Sequence, residues 1–281
     1  MTLDRRLHAF RPDLAEEGLR GRVEAERFVA GVGARVSVAV AALRPQPDLS
    51  KGIDTELLRG EDVTVFDRRD GWCWVKAKSD GYVGYLPETA VSESASEPTH
   101  IVVPQRTPVY GEPELRKPAI GALSMGSRVR VTGMAEARGN HYVVLDDGTA
   151  LFAAHVRPIA EVAGDYVAVA ARFLETPYLW GGRSGFGIDC SALVQLSLLM
   201  TGRAAPRDTD MQAAGLGTPI AREELRRGDL VFWKGHVAIT EDPETIIHAS
   251  GHTMTVARED FAAAVERIGW LYAQPTGYRR P

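Results

Sequence analysis

The feature that most constrains this chain is a glycine- and serine-rich stretch that leads into a cysteine. Residues 178–189 contain five glycine or serine positions and end directly before Cys190. Apolar residues then recur with helical spacing from Ala192 to Met200. The pattern predicts a sharp loop that feeds a helix, with Cys190 in the first turn. Because a helix N-terminus carries partial positive charge, we expect a lowered thiol pKa and a nucleophilic cysteine.

A nucleophilic cysteine needs a base, and two downstream histidines are candidates. His236 follows a glycine at a predicted turn and opens an apolar strand, and His248 follows two isoleucines. On paired antiparallel strands joined by residues 240–245, the two imidazoles come side by side. One ring then serves as general base for Cys190 and the other fixes its tautomer. The alternative is three unrelated structural residues, and the joint spacing favours catalysis.

The chain before this region contains two copies of one β-rich pattern. Residues 56–66 recur as residues 122–132, and residues 74–91 have a counterpart in residues 142–156. Short strands at regular spacing predict two small barrels, and Asp70-Gly71 predicts a tight hairpin turn. The expected divisions are an irregular N-terminal arm (1–34), a first module (35–95), a second module (96–160) after a polar linker at 93–98, and a last domain (161–281).

Three local predictions depend on periodicity alone. Residues 35–43 alternate as one strand, and residues 165–174 have the spacing of a helix that ends before Thr176-Pro177. Residues 270–273 are expected to form a short strand that closes the last domain.

Composition and charge exclude several classes of function. The 281 residues carry a net charge of −4 without a basic cluster, so nucleic-acid binding is not expected. No signal peptide or membrane-spanning run is present, so we expect a cytoplasmic protein that does not bind a membrane. Cys73 and Cys190 lie in different predicted domains, and no metal-binding motif occurs. We therefore expect no disulfide, no metal and no cofactor.

Residues from about 165 to 275 resemble the NlpC/P60 family of cysteine peptidases. The similarity lies in several blocks in the same order: residues 178–182, 187–195, 206–209, 227–233, 235–239 and 247–249. Both modules resemble bacterial SH3-like domains, mainly through residues 81–86, although the second copy lacks those tyrosines. The resemblance implies an α+β chain with a papain-like NlpC/P60 C-terminal domain preceded by two small all-β SH3-like barrels.

The resemblance also implies an activity and residue roles. The family hydrolyses peptidoglycan stem peptides, usually between γ-D-glutamate and a diamino acid. The whole chain is similar to the intracellular dipeptidyl-peptidase VI type, which cleaves free muropeptides that begin with L-Ala-γ-D-Glu. By this resemblance Cys190 is the nucleophile, His236 the base and His248 its orienter. Tyr178 borders the nucleophile and helps to hold the oxyanion or the substrate.

The same resemblance assigns residues to the free amino group of the muropeptide. Asp189 and Ser191 are expected to bind it, with Glu61 and Tyr82 or Tyr85 of the first module as further contacts. A buried ammonium group needs a carboxylate to offset its lost hydration. An acylated chain end would then leave Asp189 unpaired, which would reject it. The alternative role for Asp189 is to cap the helix that follows.

Two other classes of function remain open at this stage. The chain could be a non-catalytic protein that binds cell-wall peptides, or an acyltransferase of similar fold. The intact Cys190, His236 and His248 argue against the first, and the SH3-like modules with Asp189 argue against the second. The preferred diamino acid, the acceptance of longer stems or intact wall, the oligomeric state, and the roles of the arm and second module are not determined by the sequence.

Overall fold

The computed structural model describes residues 3–93 and 96–281. The chain forms two compact units, Met1–Ala160 and Glu161–Pro281. The first unit consists mostly of short strands, and the second combines a sheet with helices. The predicted linker at 93–98 includes Ser94 and Ala95, which lie outside the described residues.

The N-terminal arm packs onto the first module through a small apolar cluster. Its strands β1 (Leu14–Glu16) and β2 (Arg27–Val29) pair in parallel, and a 3-10 turn at Glu17–Leu19 follows β1. Ala9 and Leu14 are buried against Trp74 and Val83 of the module. The arm is therefore partly regular, although an irregular segment was expected.

The first module is a sheet of five strands with an added two-stranded ribbon. Its strands are β3 (Val32–Val36), β4 (Val40–Leu43), β5 (Thr55–Leu58), β6 (Asp62–Arg69), β7 (Trp72–Ala77), β8 (Val83–Pro87) and β9 (Val91–Ser92), with a 3-10 turn at Glu88–Ala90. The large sheet has the order β8-β7-β6-β3-β9, and β4 pairs with β5. The hairpin prediction is confirmed, since Asp70 and Gly71 join β6 to β7 with φ of 52° and 78°.

The predicted single strand over residues 35–43 is two strands. Strand β3 ends at Val36, and the next N–H, that of Ser37, donates to the Ala90 carbonyl at 2.9 Å. The chain then turns, so that β3 pairs with β6 and β9 whereas β4 pairs with β5. Apolar residues alternate through this turn as well, so a prediction from periodicity alone assigned one strand where the structure has two.

The second module has two sheets. Its strands are β10 (His100–Val102), β11 (Arg106–Tyr110), β12 (Ala119–Ser124), β13 (Arg128–Val129), β14 (Val131–Ala137), β15 (Asn140–Leu145), β16 (Ala150–Phe152) and β17 (Val156–Pro158), with a 3-10 turn at Ala153–His155. The sheet orders are β13-β10-β17 and β12-β11-β16-β15-β14. Val102, Leu123, Leu145 and Leu151 form the centre of a separate core.

The internal repeat appears in the backbone hydrogen bonds of both modules. Each module has a glycine with positive φ, 80° at Gly60 and 88° at Gly126, at corresponding turns. Three backbone bonds of the first module recur in the second. Gly60 N–H to Val36 O corresponds to Gly126 N–H to Val102 O, and Val36 N–H to Glu61 O corresponds to Val102 N–H to Ser127 O. Ser37 N–H to Ala90 O corresponds to Val103 N–H to His155 O. A Cβ at Gly60 would lie 2.3 Å from the Arg128 carbonyl oxygen, so glycine also permits close contact between the modules.

The second unit is built around an antiparallel sheet. Its strands are β18 (Arg183–Ser184), β19 (Gly187–Ile188), β20 (Thr218–Ile220), β21 (Leu230–Trp233), β22 (His236–Thr240), β23 (Thr245–Ser250), β24 (Thr255–Asp260) and β25 (Gly277–Arg280), with a 3-10 turn at Arg222–Glu224. The main sheet has the order β20-β25-β21-β22-β23-β24. The helices are α1 (Tyr166–Ala171), α2 (Cys190–Leu199), α3 (Thr209–Gly215) and α4 (Phe261–Leu271).

The predicted closing strand near residue 270 is wrong, because residues 261–271 form helix α4. The Asp260 carboxylate accepts the Ala263 N–H at 2.8 Å and caps the helix. Phe261, Ala264 and Ile268 are buried on one face, whereas Trp270 is 84% exposed. The closing strand is β25, further along the chain. None of the helices in residues 3–93 and 96–281 combines the length and the hydropathy that a membrane-spanning helix needs.

Candidate active site

The predicted loop before Cys190 is present, and it is shaped by close backbone contacts. The short strands β18 and β19 pair within it. A Cβ at Gly182 would lie 2.6 Å from the Gly187 carbonyl oxygen, so glycine allows the two segments to touch. Asp189 is the N-cap of α2, and Cys190 is the first residue of that helix. Helix α2 packs against β22 and β23 of the main sheet.

Asp189 lies at the centre of a buried polar cluster. One carboxylate oxygen accepts from the Ala192 N–H at 2.8 Å and from Ser191 Oγ at 3.1 Å, and the other accepts from the Gly181 N–H at 3.0 Å. Both oxygens also accept from Arg207, at 3.0 and 2.7 Å. Arg207 is 1% exposed. The sequence argument assumed a carboxylate without a partner, and that assumption is wrong because Arg207 already offsets the charge.

The thiol of Cys190 is almost fully enclosed. Cys190 is 6% exposed, and the Val237 N–H donates to its sulfur. The hydroxyl of Thr209 lies 3.8 Å from the same sulfur. Burial, followed by the negative charge of Asp189, raises the pKa of Cys190 to about 11. The expected lowering of the thiol pKa is therefore wrong for the resting site, because lost hydration outweighs the helix N-terminus.

The predicted side-by-side placement of the two histidines is confirmed. His236 opens β22 after a tight turn at Gly235, and His248 lies on the neighbouring strand β23. His236 Nε2 and His248 Nδ1 are 2.8 Å apart. Since Val237 contacts the Cys190 sulfur, the strand that carries His236 lies against the nucleophile. His248 is 1% exposed, which restricts its ring to this position.

Burial also favours the neutral form of the first histidine. Desolvation, then the nearby His248 and Arg267, lower the pKa of His236 to about 3, while Glu259 acts in the opposite direction. Both His236 and the Cys190 thiol are therefore uncharged near neutral pH. A proton can still pass from sulfur to imidazole as the sulfur attacks a carbonyl group.

Two charged residues beyond the predicted set continue the histidine pair. Glu259 Oε2 lies 3.1 Å from His248 Nε2, although the ring N–H is not well aligned with that oxygen. Arg267 donates to both oxygens of Glu259, at 2.9 and 2.6 Å. Burial would raise the pKa of Glu259, but the adjacent His248 and the bonds from Arg267 outweigh burial and lower it to about 2.

Tyr178 lies beside the nucleophile and is half-buried. Its N–H donates to the Met254 carbonyl at 2.8 Å, and it forms a β-bridge with Ile188. The pKa of Tyr178 is raised by burial first and then by the charges of Cys190 and Asp189. Its phenol is therefore a neutral hydrogen-bond donor at neutral pH, and its contact with substrate stays a prediction.

The three residues predicted from the first module have different environments. Glu61 is 2% exposed, and its carboxylate accepts the Leu58 N–H at 2.8 Å. Tyr82 is 4% exposed and belongs to the hydrophobic core of the module. Tyr85 is half-buried, stacks on Trp74 and contacts the Arg11 guanidinium through its hydroxyl. Their roles toward a substrate stay predictions.

Sequence reasoning gave no role to Arg207, Thr209, Glu259 or Arg267. The first two belong to the quoted block at residues 206–209, so their proximity to the nucleophile had a signal that was not used. Glu259 and Arg267 lie on β24 and α4, which were not predicted. Within residues 3–93 and 96–281, no group of three or more histidine, cysteine or acidic residues is placed to hold a metal ion.

Comparison with protein families matches both units of the chain. Residues 175–267 match the NlpC/P60 family, and residues 43–91 match the bacterial dipeptidyl-peptidase Sh3 domain. The first match contains Cys190, His236, His248 and Glu259. The second covers most of the first module.

Curated relatives and a solved structure extend these matches. A γ-D-glutamyl-L-lysine dipeptidyl-peptidase of Bacillus cereus is 27% identical over 70% of this chain and 67% of its own length. Dipeptidyl-peptidase 6 of Lysinibacillus sphaericus is 26% identical over 86% of this chain and all of its own length. The crystal structure of an NlpC/P60 family protein from Bacillus cereus superposes with a TM-score of 0.73 at 23% identity, and covers 88% of this chain and 99% of its own. That structure supports the fold.

Proposed function

This chain carries a bacterial SH3 domain and an NlpC/P60 cysteine peptidase domain, and on that premise we propose that it hydrolyses the bond between γ-D-glutamate and a diamino acid in peptidoglycan stem peptides. The observation that carries the proposal is the pair His236 and His248, 2.8 Å apart, on strands that pack against the Cys190 helix. The name of the Bacillus relative supports the bond, and the name of the Lysinibacillus relative supports a dipeptidyl-peptidase.

The chemistry follows from the groups around the sulfur. His236 accepts the thiol proton as the sulfur forms a bond to the amide carbon, and the carbonyl electron pair moves to oxygen. The Cys190 N–H, which lies at the start of α2, then donates to that oxyanion. His236 then gives its proton to the leaving amine as the C–N bond breaks. Water cleaves the acyl-enzyme and restores the thiol.

We further propose that the substrate is a free stem peptide with an unblocked N-terminal L-Ala, taken up in cell-wall recycling inside the cytoplasm. The dipeptidyl-peptidase names of the relatives support recognition of a chain end. The second module is proposed to be a divergent SH3-like copy, since its backbone bonds repeat those of the first. Of the predicted amine contacts, Asp189 and Ser191 are already bonded to Arg207. A substitution at either residue would therefore also change the position of Arg207.

The test is mass spectrometry of L-Ala-γ-D-Glu-L-Lys and its diaminopimelate counterpart, each free and N-acetylated. We expect release of L-Ala-γ-D-Glu from the free peptides by the wild-type chain and by Cys73→Ala, which removes the other buried thiol. Cys190→Ala should release none.

Other outcomes separate the parts of the proposal. Cleavage of the acetylated peptides at equal rate would keep the peptidase and refute the preference for a free N-terminus. Binding without cleavage would favour a wall-peptide-binding protein. Activity on a lipid or simple amide donor alone would favour an acyltransferase.

A further inference from the structure

We propose that Glu259 is a positioning residue that fixes the proton arrangement of the histidine pair, and that Arg267 holds Glu259 in place. The proposal rests on the proposed peptidase function of Cys190. Glu259 lies near the end of β24, and Arg267 lies on α4, the helix that begins directly after that strand. These elements therefore continue the contact between His236 and His248 on the far side of His248.

Strand register places Glu259 beside the second histidine. In the pairing of β23 with β24, His248 is opposite Ala257 and Ile246 is opposite Glu259. Because alternate residues share a face, His248 and Glu259 point to the same side of the sheet. Glu259 Oε2 is 3.1 Å from His248 Nε2. With His248 only 1% exposed, water has little access to that nitrogen.

The carboxylate decides which nitrogen of each ring carries a proton. An ionised carboxylate only accepts hydrogen bonds, so it favours a proton on His248 Nε2. In the neutral ring, His248 Nδ1 then has a lone pair and must accept from His236 Nε2 across the 2.8 Å contact. That leaves His236 Nδ1 without a proton. Glu259 thus prepares Nδ1 of His236 as the atom that receives the thiol proton.

Arg267 fixes the carboxylate for this task. Its guanidinium donates to both Glu259 oxygens, which sets the carboxylate plane as well as its position. The pKa of Glu259 is lowered, so the group is anionic throughout the neutral range. The charged or titratable groups acting on His236 are His248, Arg267 and Glu259. Asp189, Arg207 and Tyr178 interact with Cys190.

The charge of Glu259 also supports the reaction itself. When His236 takes the thiol proton it becomes an imidazolium, and the nearby carboxylate stabilises that cation. Arg267 opposes this effect, so the net benefit depends on the carboxylate lying nearer to the histidines than the guanidinium does. Glu259 Oε2 lies 3.1 Å from His248 Nε2, whereas the Arg267 guanidinium is bonded to the two carboxylate oxygens.

The test compares Glu259→Gln and Glu259→Leu with a matched control, Glu241→Gln. Glu241 forms a similar two-bond pair with Arg258, at 2.5 and 2.8 Å, and contacts no histidine. Nitrogen-15 NMR of the full chain should show His248 with its proton on Nε2 in the wild type and a mixed tautomer in Glu259→Leu. The control should leave the tautomer unchanged.

Reactivity provides two further measurements. We expect kcat on the stem peptide to fall about 10- to 100-fold in Glu259→Leu with KM little changed, as when the orienter of a base is removed. The rate of Cys190 alkylation by iodoacetamide at pH 7 should fall about tenfold, which corresponds to one pKa unit of lost imidazolium stability. Glu259→Gln should give values of kcat and alkylation rate between those of wild type and Glu259→Leu, because glutamine keeps a hydrogen-bond acceptor and loses the charge.

Two results would overturn the proposal. One is a wild-type spectrum with the His248 proton on Nδ1, which needs no variant and so does not depend on folding. The other is a folded Glu259→Leu chain with unchanged tautomer and alkylation rate. If the wild type cleaves no stem peptide, the proposed function fails, but the NMR and alkylation results still decide the role of Glu259.

Discussion

At the scale of single residues, the decisive feature of the site is that its charges are paired before a substrate arrives. Asp189 performs the helix-capping role that the sequence left as an alternative, and it also binds a buried arginine. The same carboxylate holds the Gly181 N–H, so the loop, the helix start and residue 207 are fixed together.

Replacing Asp189 by Asn should destabilise the second unit by about 3–5 kcal/mol, since it leaves the Arg207 charge buried and unpaired. Asp165→Asn is the matched control, because Asp165 also caps a helix and pairs with an arginine, Arg227, but both side chains are 47% exposed. The free energy of unfolding should fall by about 1 kcal/mol in Asp165→Asn. Urea unfolding measures both. An Asp189→Asn chain of wild-type stability that lost only its preference for free N-termini would instead support the amine-binding role.

The stability of the second unit should fall as pH decreases below about 6.5. The pKa of His236 is lowered to about 3 in the folded chain from an ordinary value of 6.5. Between these values the unfolded chain binds a proton that the folded chain does not, so acid favours unfolding. The urea midpoints of wild type and His236→Gln should differ at pH 7, and the difference should shrink toward pH 4. His141→Gln, at a largely exposed histidine, should run parallel to wild type.

Sequence patterns could predict the local parts of the site and not the long-range parts. The loop before Cys190 and the pairing of His236 with His248 follow from glycine content, helical spacing and strand adjacency. The contacts of Arg207 and Glu259 depend on where distant segments meet, which no local pattern encodes. The sign of the Cys190 pKa shift was missed for a related reason, because burial depends on the whole packing around the thiol.

At the scale of elements, one arginine of the N-terminal arm contacts three strands of the first module. Arg11 donates to Asp67 at 2.6 Å and to the Tyr85 hydroxyl at 3.2 Å, and its guanidinium lies 4.4 Å from the Trp74 ring centre. This combination joins the arm to β6, β7 and β8 of the first module. The sequence predicted only an irregular arm, because these partners are more than fifty residues away.

Arg11→Ala should loosen the arm while the module stays folded, because the apolar cluster of the arm and the Lys76–Glu16 ion pair remain. Loss of a charge-assisted bond and a cation–π contact costs about 2–3 kcal/mol. We expect faster proteolysis within residues 3–29 and a change in Trp74 fluorescence. Arg20→Ala removes a cation–π contact that lies inside the arm, with Phe28, and should have a smaller effect on cleavage. Equal digestion of Arg11→Ala and wild type would contradict this anchor.

At the scale of the whole molecule, the chain has separate cores. Leu57, Val75 and Leu86 belong to the first module, whereas Val231, Ile246 and Ile268 belong to the second unit. Separate cores are the basis for independent folding of domains.

Residues 161–281 alone should therefore fold cooperatively. Calorimetry should show one transition for this piece, and iodoacetamide should modify Cys190 at the rate seen in the full chain. A piece that shows no transition would mean that the second unit needs the first to fold.

The enclosed thiol has a consequence for chemical vulnerability. Peroxide oxidises thiolates far faster than thiols, and Cys190 is 6% exposed with a raised pKa. The resting enzyme should therefore resist oxidative inactivation, and become sensitive only when a bound ligand draws the proton to His236. A small electrophile such as iodoacetamide should react slowly with this neutral and buried sulfur, so a fast covalent inhibitor would need a peptide-like body that engages the site.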